Sequence, residues 1–151
     1  MFILKNRTIG SRTLLSMTAN NIHNLNGLIS AQDVTLDAVQ DINNIGGAIA
    51  AQNSPTLNAG RDINIQSTTQ SSDLKFDLQQ GNKVIHVDNH GTNIDRVAGL
   101  YITNTTGTGL LVANAGNNIN LAGAEIINLA PASSSNPNQG VLSACPLQLC
   151  N

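Results

Sequence analysis

The chain has 151 residues, a net charge of -2, 40% hydrophobic, 11% charged and only 2% aromatic residues. That length suits one domain or one stretch of a larger array, and near-globular apolar content with so little net charge excludes an intrinsically disordered class. Seven scattered Lys and Arg, without a basic cluster or aromatics to stack on bases, exclude a nucleic-acid partner. Three Lys and a single Glu leave few of the residues from which solvent-facing helices are built, whereas 22 Asn and 13 Gly are abundant. An all-β chain is the first expectation.

In chain order, residues 1–13 are expected as a lead-in. Phe2, Ile3 and Leu4 are apolar, but Lys5, Arg7 and Arg12 interrupt any continuous core of the kind a cleavable signal needs. Next comes an internal repeat. Ile22–Gln32 aligns on Ile42–Gln52 without a gap at an offset of 20, matching at Ile, Asn, Gly, Ile, Ala and Gln. Thr35-Leu36-Asp37-Ala38 returns as Thr56-Leu57-Asn58-Ala59 at an offset of 21, as does Asp41-Ile42 as Asp62-Ile63, so one residue has been added between Gln52 and Thr56.

Within each repeat, apolar residues alternate in short patches such as Val34-Thr35-Leu36 and Ile63-Asn64-Ile65. Alternation of period two marks strands, and patches this short mark very short ones. Self-similarity at this period is the signature of stacked architectures. The expected fold is a right-handed parallel β-helix, or β-solenoid, with coils of about 20 residues, spanning residues 14–130 in about six coils. Inward positions then form aliphatic ladders with little room for Trp or Phe. Corners need residues that accept left-handed backbone, Gly first and Asn next. Asn24, Gly27, Asn44, Gly47, Gly60 and Gly116 are the expected structural corners, with stacked amides bonding along the axis.

The pattern lapses over residues 67–96, which are expected as one extruded loop or hairpin. It resumes at Ala98–Thr103, and Ala115–Leu121 then matches Ala59–Ile65. Residues 131–151, with Pro-, Ser- and Asn-rich sequence and both cysteines, Cys145 and Cys150, read as an irregular tail.

Few constellations carry chemistry. His86, Asp88 and His90 share one face of a strand, a donor set that suits zinc, although exposed polar residues on the excursion are the simpler account. No metal and no cofactor is expected. His23 is expected as a solvated corner residue. A glycan-cleaving surface requires grouped carboxylates, and Asp33, Asp37, Asp41 and Asp62, with Arg61 near, are the residues that adjacent coils could bring together for one. Asp33 and Asp37 become Asn53 and Asn58 one coil later, however, and no catalytic residue is expected. Gly46-Gly47 is too little for a calcium-binding repeat, and Gly107 and Gly109 lack the helix and lysine of a phosphate loop.

Four stretches carry a family resemblance: Ala59–Ile65, Asp95–Ile102, Leu110–Ala113 and Ala115–Ala124. They resemble the haemagglutinin repeats of filamentous-haemagglutinin exoproteins, including contact-dependent growth-inhibition effectors of Gram-negative bacteria, and the likeness covers roughly residues 14–130. The resemblance implies a structural shaft segment of a secreted, surface-exposed adhesin, exported by two-partner secretion through an outer-membrane transporter. Flanking coils and a receptor on a host or target cell would be its partners. The secretion domain and toxin domain of such exoproteins have no counterpart here, and the cysteine-bearing tail is unlike the family, so the chain is expected to be a fragment. The alternative is a carbohydrate-binding or polysaccharide-cleaving β-helix.

Overall fold

The computed structural model describes residues 1–107 and 109–130, together with the backbone of Leu142–Pro146. Every regular element among them is a strand. Asn and Gly at these frequencies oppose helix, and the short aliphatic alternations between them can only bury one side at a time.

Five passes of the chain lie on one another. The first supplies β1 (Phe2–Lys5), β2 (Thr8–Gly10) and β3 (Leu14–Ala19), the second β4 (Ile22–Leu25) and β5 (Leu28–Ala38), and the third β6 (Ile42–Ile45) and β7 (Ala48–Ala59). The fourth begins with β8 (Asp62–Gln66), leaves the stack as β9 (Thr68–Gln80) and β10 (Lys83–Arg96), and returns as β11 (Gly99–Ile102) and β12 (Leu111–Ala115). The fifth contains β13 (Asn118–Ala122), β14 (Glu125–Asn128) and β15 (Leu142–Pro146). A five-stranded sheet runs β1-β4-β6-β8-β13, an eight-stranded sheet holds the others apart from the hairpin, and every pairing in both is parallel. The stack is thus five levels deep among the described residues rather than six. It also starts earlier than residue 14, since Phe2 faces Ile22 and Ile9 faces Ile29.

The register follows the internal alignment. Ile22 faces Ile42 and Asn24 faces Asn44. After a shift between Ala31 and Asp33, Leu36 faces Leu57 and Ala38 faces Ala59. Ala115 sits on Ala59 and Ile119 on Ile63. Inward side chains therefore form columns, such as Phe2-Ile22-Ile42-Ile63-Ile119 and Ile9-Ile29-Ile49-Leu100-Ile126. Ile22, Ile29, Ile49 and Ile63 are completely buried, each stabilising the fold by about 1.5–3 kcal/mol.

The corners differ from expectation in an informative way. Left-handed backbone occurs at Asn6, Asn26, Gly46 and Gly123, one at each level that turns between the two sheets without interruption. Gly27 and Gly47, expected to fill that role, lie one residue further on and do not have positive φ. Their need for glycine is steric, because a Cβ on Gly47 would lie 2.5 Å from Asn24 Nδ2 and 2.7 Å from Asn44 Oδ1. Asn24 and Asn44 themselves stand inside β4 and β6 and are fully buried, not at the turn. Gly60 and Gly116 lie between β7 and β8 and between β12 and β13, also without positive φ, and their need for glycine is again steric, since a Cβ on Gly60 would strike the Val39 carbonyl and one on Gly116 the Gly60 carbonyl.

The excursion is an antiparallel hairpin, paired from Gln80–Lys83 down to Thr68–Arg96. It emerges between Ser67 and Ala98, which overlie Gly46 and Gly47 through the bonds Gly46 N–H to Gln66 O (2.8 Å) and Gly99 N–H to Gly47 O (3.0 Å). The hairpin thus replaces the bond between the two residues of one corner. Ser67 closes its foot, accepting from Ala98 N–H at 2.9 Å and donating from Oγ to Gly123 O at 2.6 Å.

Candidate functional site

The polar side chains are organised in columns along the stack. Inside, Asn24 Nδ2 donates to Asn44 Oδ1 (2.8 Å) and to Gly27 O (3.1 Å), while Asn44 Nδ2 donates to Gly47 O (2.9 Å) and Gly99 O (3.3 Å). These two buried amides satisfy corner carbonyls that have turned inward, away from the surface. The column is Leu4-Asn24-Asn44-Ile65. Leu4 has no donor to offer, which leaves Asn24 Oδ1 without a partner among the described residues.

Outside, a longer column runs over four levels. Asn120 Nδ2 donates to Asn64 Oδ1 (2.7 Å), Asn64 Nδ2 to Asn43 Oδ1 (2.8 Å), and Asn43 Nδ2 reaches His23 Nδ1 (3.3 Å). His23 therefore terminates an amide ladder in the middle of β4 and is half-buried, where a solvated corner residue was expected. A second column joins Asp37, Asn58 and Asn114, through 2.7 and 3.0 Å bonds. A third joins Asn53 to Asn104 at 3.2 Å, and Asn104 Oδ1 also caps its own turn at Thr106 N–H and Gly107 N–H, both 3.0 Å.

The carboxylates do not gather. Asp33 faces Ser54, because the register shift precedes it, and Asp37 faces Asn58. Only Asp41 and Asp62 come together, bridged by Arg61, which binds Asp41 through two guanidinium nitrogens and lies 3.5 Å from Asp62. The hydrogen bond from Arg61 holds the Asp41 carboxyl below the usual carboxylate range, against a smaller opposing effect of burial. A charge-paired carboxylate of this kind is held ionised and is not set up to deliver a proton. On the opposite sheet, burial and a 3.0 Å bond to Glu125 raise the Tyr101 hydroxyl above its ordinary range.

His86, Asp88 and His90 share one face of β10, as their spacing requires, but the neighbouring strand engages each. His86 Nδ1 lies 2.6 Å from Asp77, His90 Nδ1 2.5 Å from Asp73 and Nε2 2.9 Å from Asp88, and Lys75 Nζ lies 3.1 Å from Asp88. The two imidazoles are four residues apart on an extended strand, about 13 Å, which is far too wide for one ion. Among the described residues no three His, Cys, Asp or Glu side chains converge on a metal position. Cys145 and Cys150 lie outside the residues whose side chains are described. The other hairpin face carries Leu74, Phe76, Leu78 and Ile85, all exposed.

An open groove of about 570 Å³ lies between the left-handed corners Asn6, Asn26 and Gly46 and the hairpin foot at Arg96 and Val97. Of its lining residues Arg7 and Arg96 are charged, and the Thr8 hydroxyl has no His, Asp or Glu beside it in that lining. No family model, curated protein or solved structure matches the chain.

The outward Asn column and the left-handed column were both missed from sequence, although their signal was present. The 20-residue alignment already places Asn43 on His23 and Gly46 on Asn26, and only Asn and Gly tolerate positive φ at little cost.

Proposed function

We propose that the stacked body is a segment of a right-handed parallel β-solenoid and serves as a shaft section of a secreted, surface-exposed adhesin of the haemagglutinin-repeat type. One observation carries the reading. At successive levels the polar side chains bond to their counterparts above and below, in columns such as His23-Asn43-Asn64-Asn120, instead of converging on a cavity. Such chemistry holds a rod together and occupies the column amides with one another, so the proposed role is mechanical and includes no catalytic step. Solenoid stability of this kind is a sum of neighbour-to-neighbour terms, which lets a shaft be lengthened by repetition.

Secretion and surface location rest on the resemblance of residues 59–65, 95–102 and 110–124 to haemagglutinin repeats. The proposed partners follow from it: flanking repeats, an outer-membrane transporter and a receptor on another cell. A glycan-cleaving surface would need outward Asp or Arg in register over three levels, whereas Asp37 is followed by Asn58 and Asn114.

The surface assignment is tested with an epitope inserted at the exposed Gly81-Asn82 hairpin tip, in Gram-negative cells producing the reading frame and its transporter. Antibody should label intact cells. Labelling only after permeabilisation would overturn it. A crystal structure tests the solenoid itself, with closed right-handed coils of about 20 residues expected.

A further inference from the structure

We infer that the two ends of the stack are complementary, and that a second copy of this chain docks head to tail, the β1-β2 end of one copy on the β13-β14 end of the other. The inference rests on the stacked arrangement and not on surface location. β1 and β13 are the outermost strands of their sheet, and β2 and β14 lie at edges of theirs. Among the described residues nothing pairs with these edges. Phe2 N–H is bonded to Asn21 O at 2.8 Å, so the alternation of a parallel strand turns Ile3 N–H to the free side. Ile119 occupies the register of Phe2 and Ile22, whose N–H groups point toward the following strand, and so presents its own N–H at the other end.

The side chains at the two ends continue the same columns. Stacked on β13 and β14, a second copy would place Phe2 on Ile119, Leu4 on Leu121 and Ile9 on Ile126, each apolar on apolar. Leu121 is 51% exposed although Ile65, beneath it in the same column, is 1% exposed. The left-handed column would continue as well, with Asn6 of the second copy over Gly123. Charge favours the same polarity. Lys5, Arg7 and Arg12 precede every acidic residue of the chain, and Glu125 is the only charged residue after Arg96. Glu125 lies in the column of Thr8, through Gly99, Ala48 and Leu28, and would therefore come beside Arg7 of the second copy. A head-to-tail contact does not close on itself, so it propagates into a filament.

The test uses one proline per edge, since Pro on a free edge removes only an unbonded donor. Ile3→Pro blocks one end and Ile119→Pro the other. The unmodified chain should sediment as species that lengthen with concentration, and each variant alone as a monomer. An equimolar mixture of the two should give one-to-one dimers and nothing larger, because only one competent pair of ends remains. A monomeric unmodified chain, or homodimers of either variant, would overturn the inference. A second variant, Ile3→Cys with Asn120→Cys in a Cys145→Ser, Cys150→Ser background, should form covalent oligomers on oxidation. Within one chain those positions are four strand spacings, about 19 Å, apart, beyond disulfide reach. Absence of oligomers would overturn the docking. If the chain lacks a strand-type far-ultraviolet spectrum, the stacked fold fails first and the inference with it.

Discussion

Asparagine does three separate jobs in this molecule, and position decides which. Asn26 turns the chain, Asn44 bonds buried carbonyls, and Asn120 extends an outward ladder. Asn44→Ala would leave Gly47 O and Gly99 O without that donor and remove the shortest of the bonds made by Asn24 Nδ2, and should cost about 2–3 kcal/mol. Asn120→Ala, at the solvent end of its column, should stay within about 0.5 kcal/mol in the same denaturant titration. Glycine can be sorted the same way. Gly60→Ala drives a methyl into the Val39 carbonyl and should cost about 1–3 kcal/mol, whereas Gly10→Ala meets only the Ser30 hydroxyl at 3.2 Å and carbonyl at 3.3 Å and should cost less. Equal thermal shifts would remove the close-approach assignment. Asp41 supplies a pH dependence whose sign is set by its lowered pKa. Its contribution is present above the unfolded value, about 3.9, and is lost as pH falls through the lower folded value. Arg61→Ala should therefore flatten the acid limb of the stability curve, measured by urea titration between about pH 5 and 2.

Among the elements, the hairpin is the one least tied to the stack. A two-stranded ribbon with an exposed apolar face is marginally stable by itself, and Ser67 is its principal side-chain tie to the body. Deleting residues 68–97 would join Ser67 directly to Ala98 and restore the two-residue corner seen at Asn26-Gly27 and Gly46-Gly47. With Ser67→Gly to supply left-handed backbone, the shortened chain should keep the melting temperature of the body within a few degrees. Its collapse in calorimetry would show that the hairpin is structural. That such an excursion exists was legible from the lapse of the repeat at residue 67; that it is a regular hairpin was not. The pairing of Asp77 with His86 and Asp73 with His90 depends on cross-strand register, and no alternation within one strand encodes it.

At the scale of the molecule, burial depends on level as much as on residue type. Ile65→Ala, in the interior of a column, should cost about 2–5 kcal/mol. Leu121→Ala, one level further along that column and half exposed, should cost a small fraction of this when the chain is dilute, as measured by chemical unfolding. Matching losses would mean that the end at β13 is already covered. The parallel sheets also pair residues about 20 or 56 positions apart, so each level depends on contacts with its neighbours more than on contacts within itself.

The sequence by itself determined the all-β class, the inward Ile and Leu columns and the register of successive repeats, including the added residue near Gln52. These follow from period-two alternation and self-similarity, because a stack buries the same position at every level and so writes the same chemistry there repeatedly. Only the tertiary structure decided which asparagines are buried, which corner residue is left-handed, and that residues 2–10 already belong to the first level. The physical reason is that asparagine satisfies a buried carbonyl, a left-handed turn and a solvent-facing ladder equally well. Its role is set by the side of the strand on which it falls and by what lies 4.8 Å above and below it, about one strand spacing.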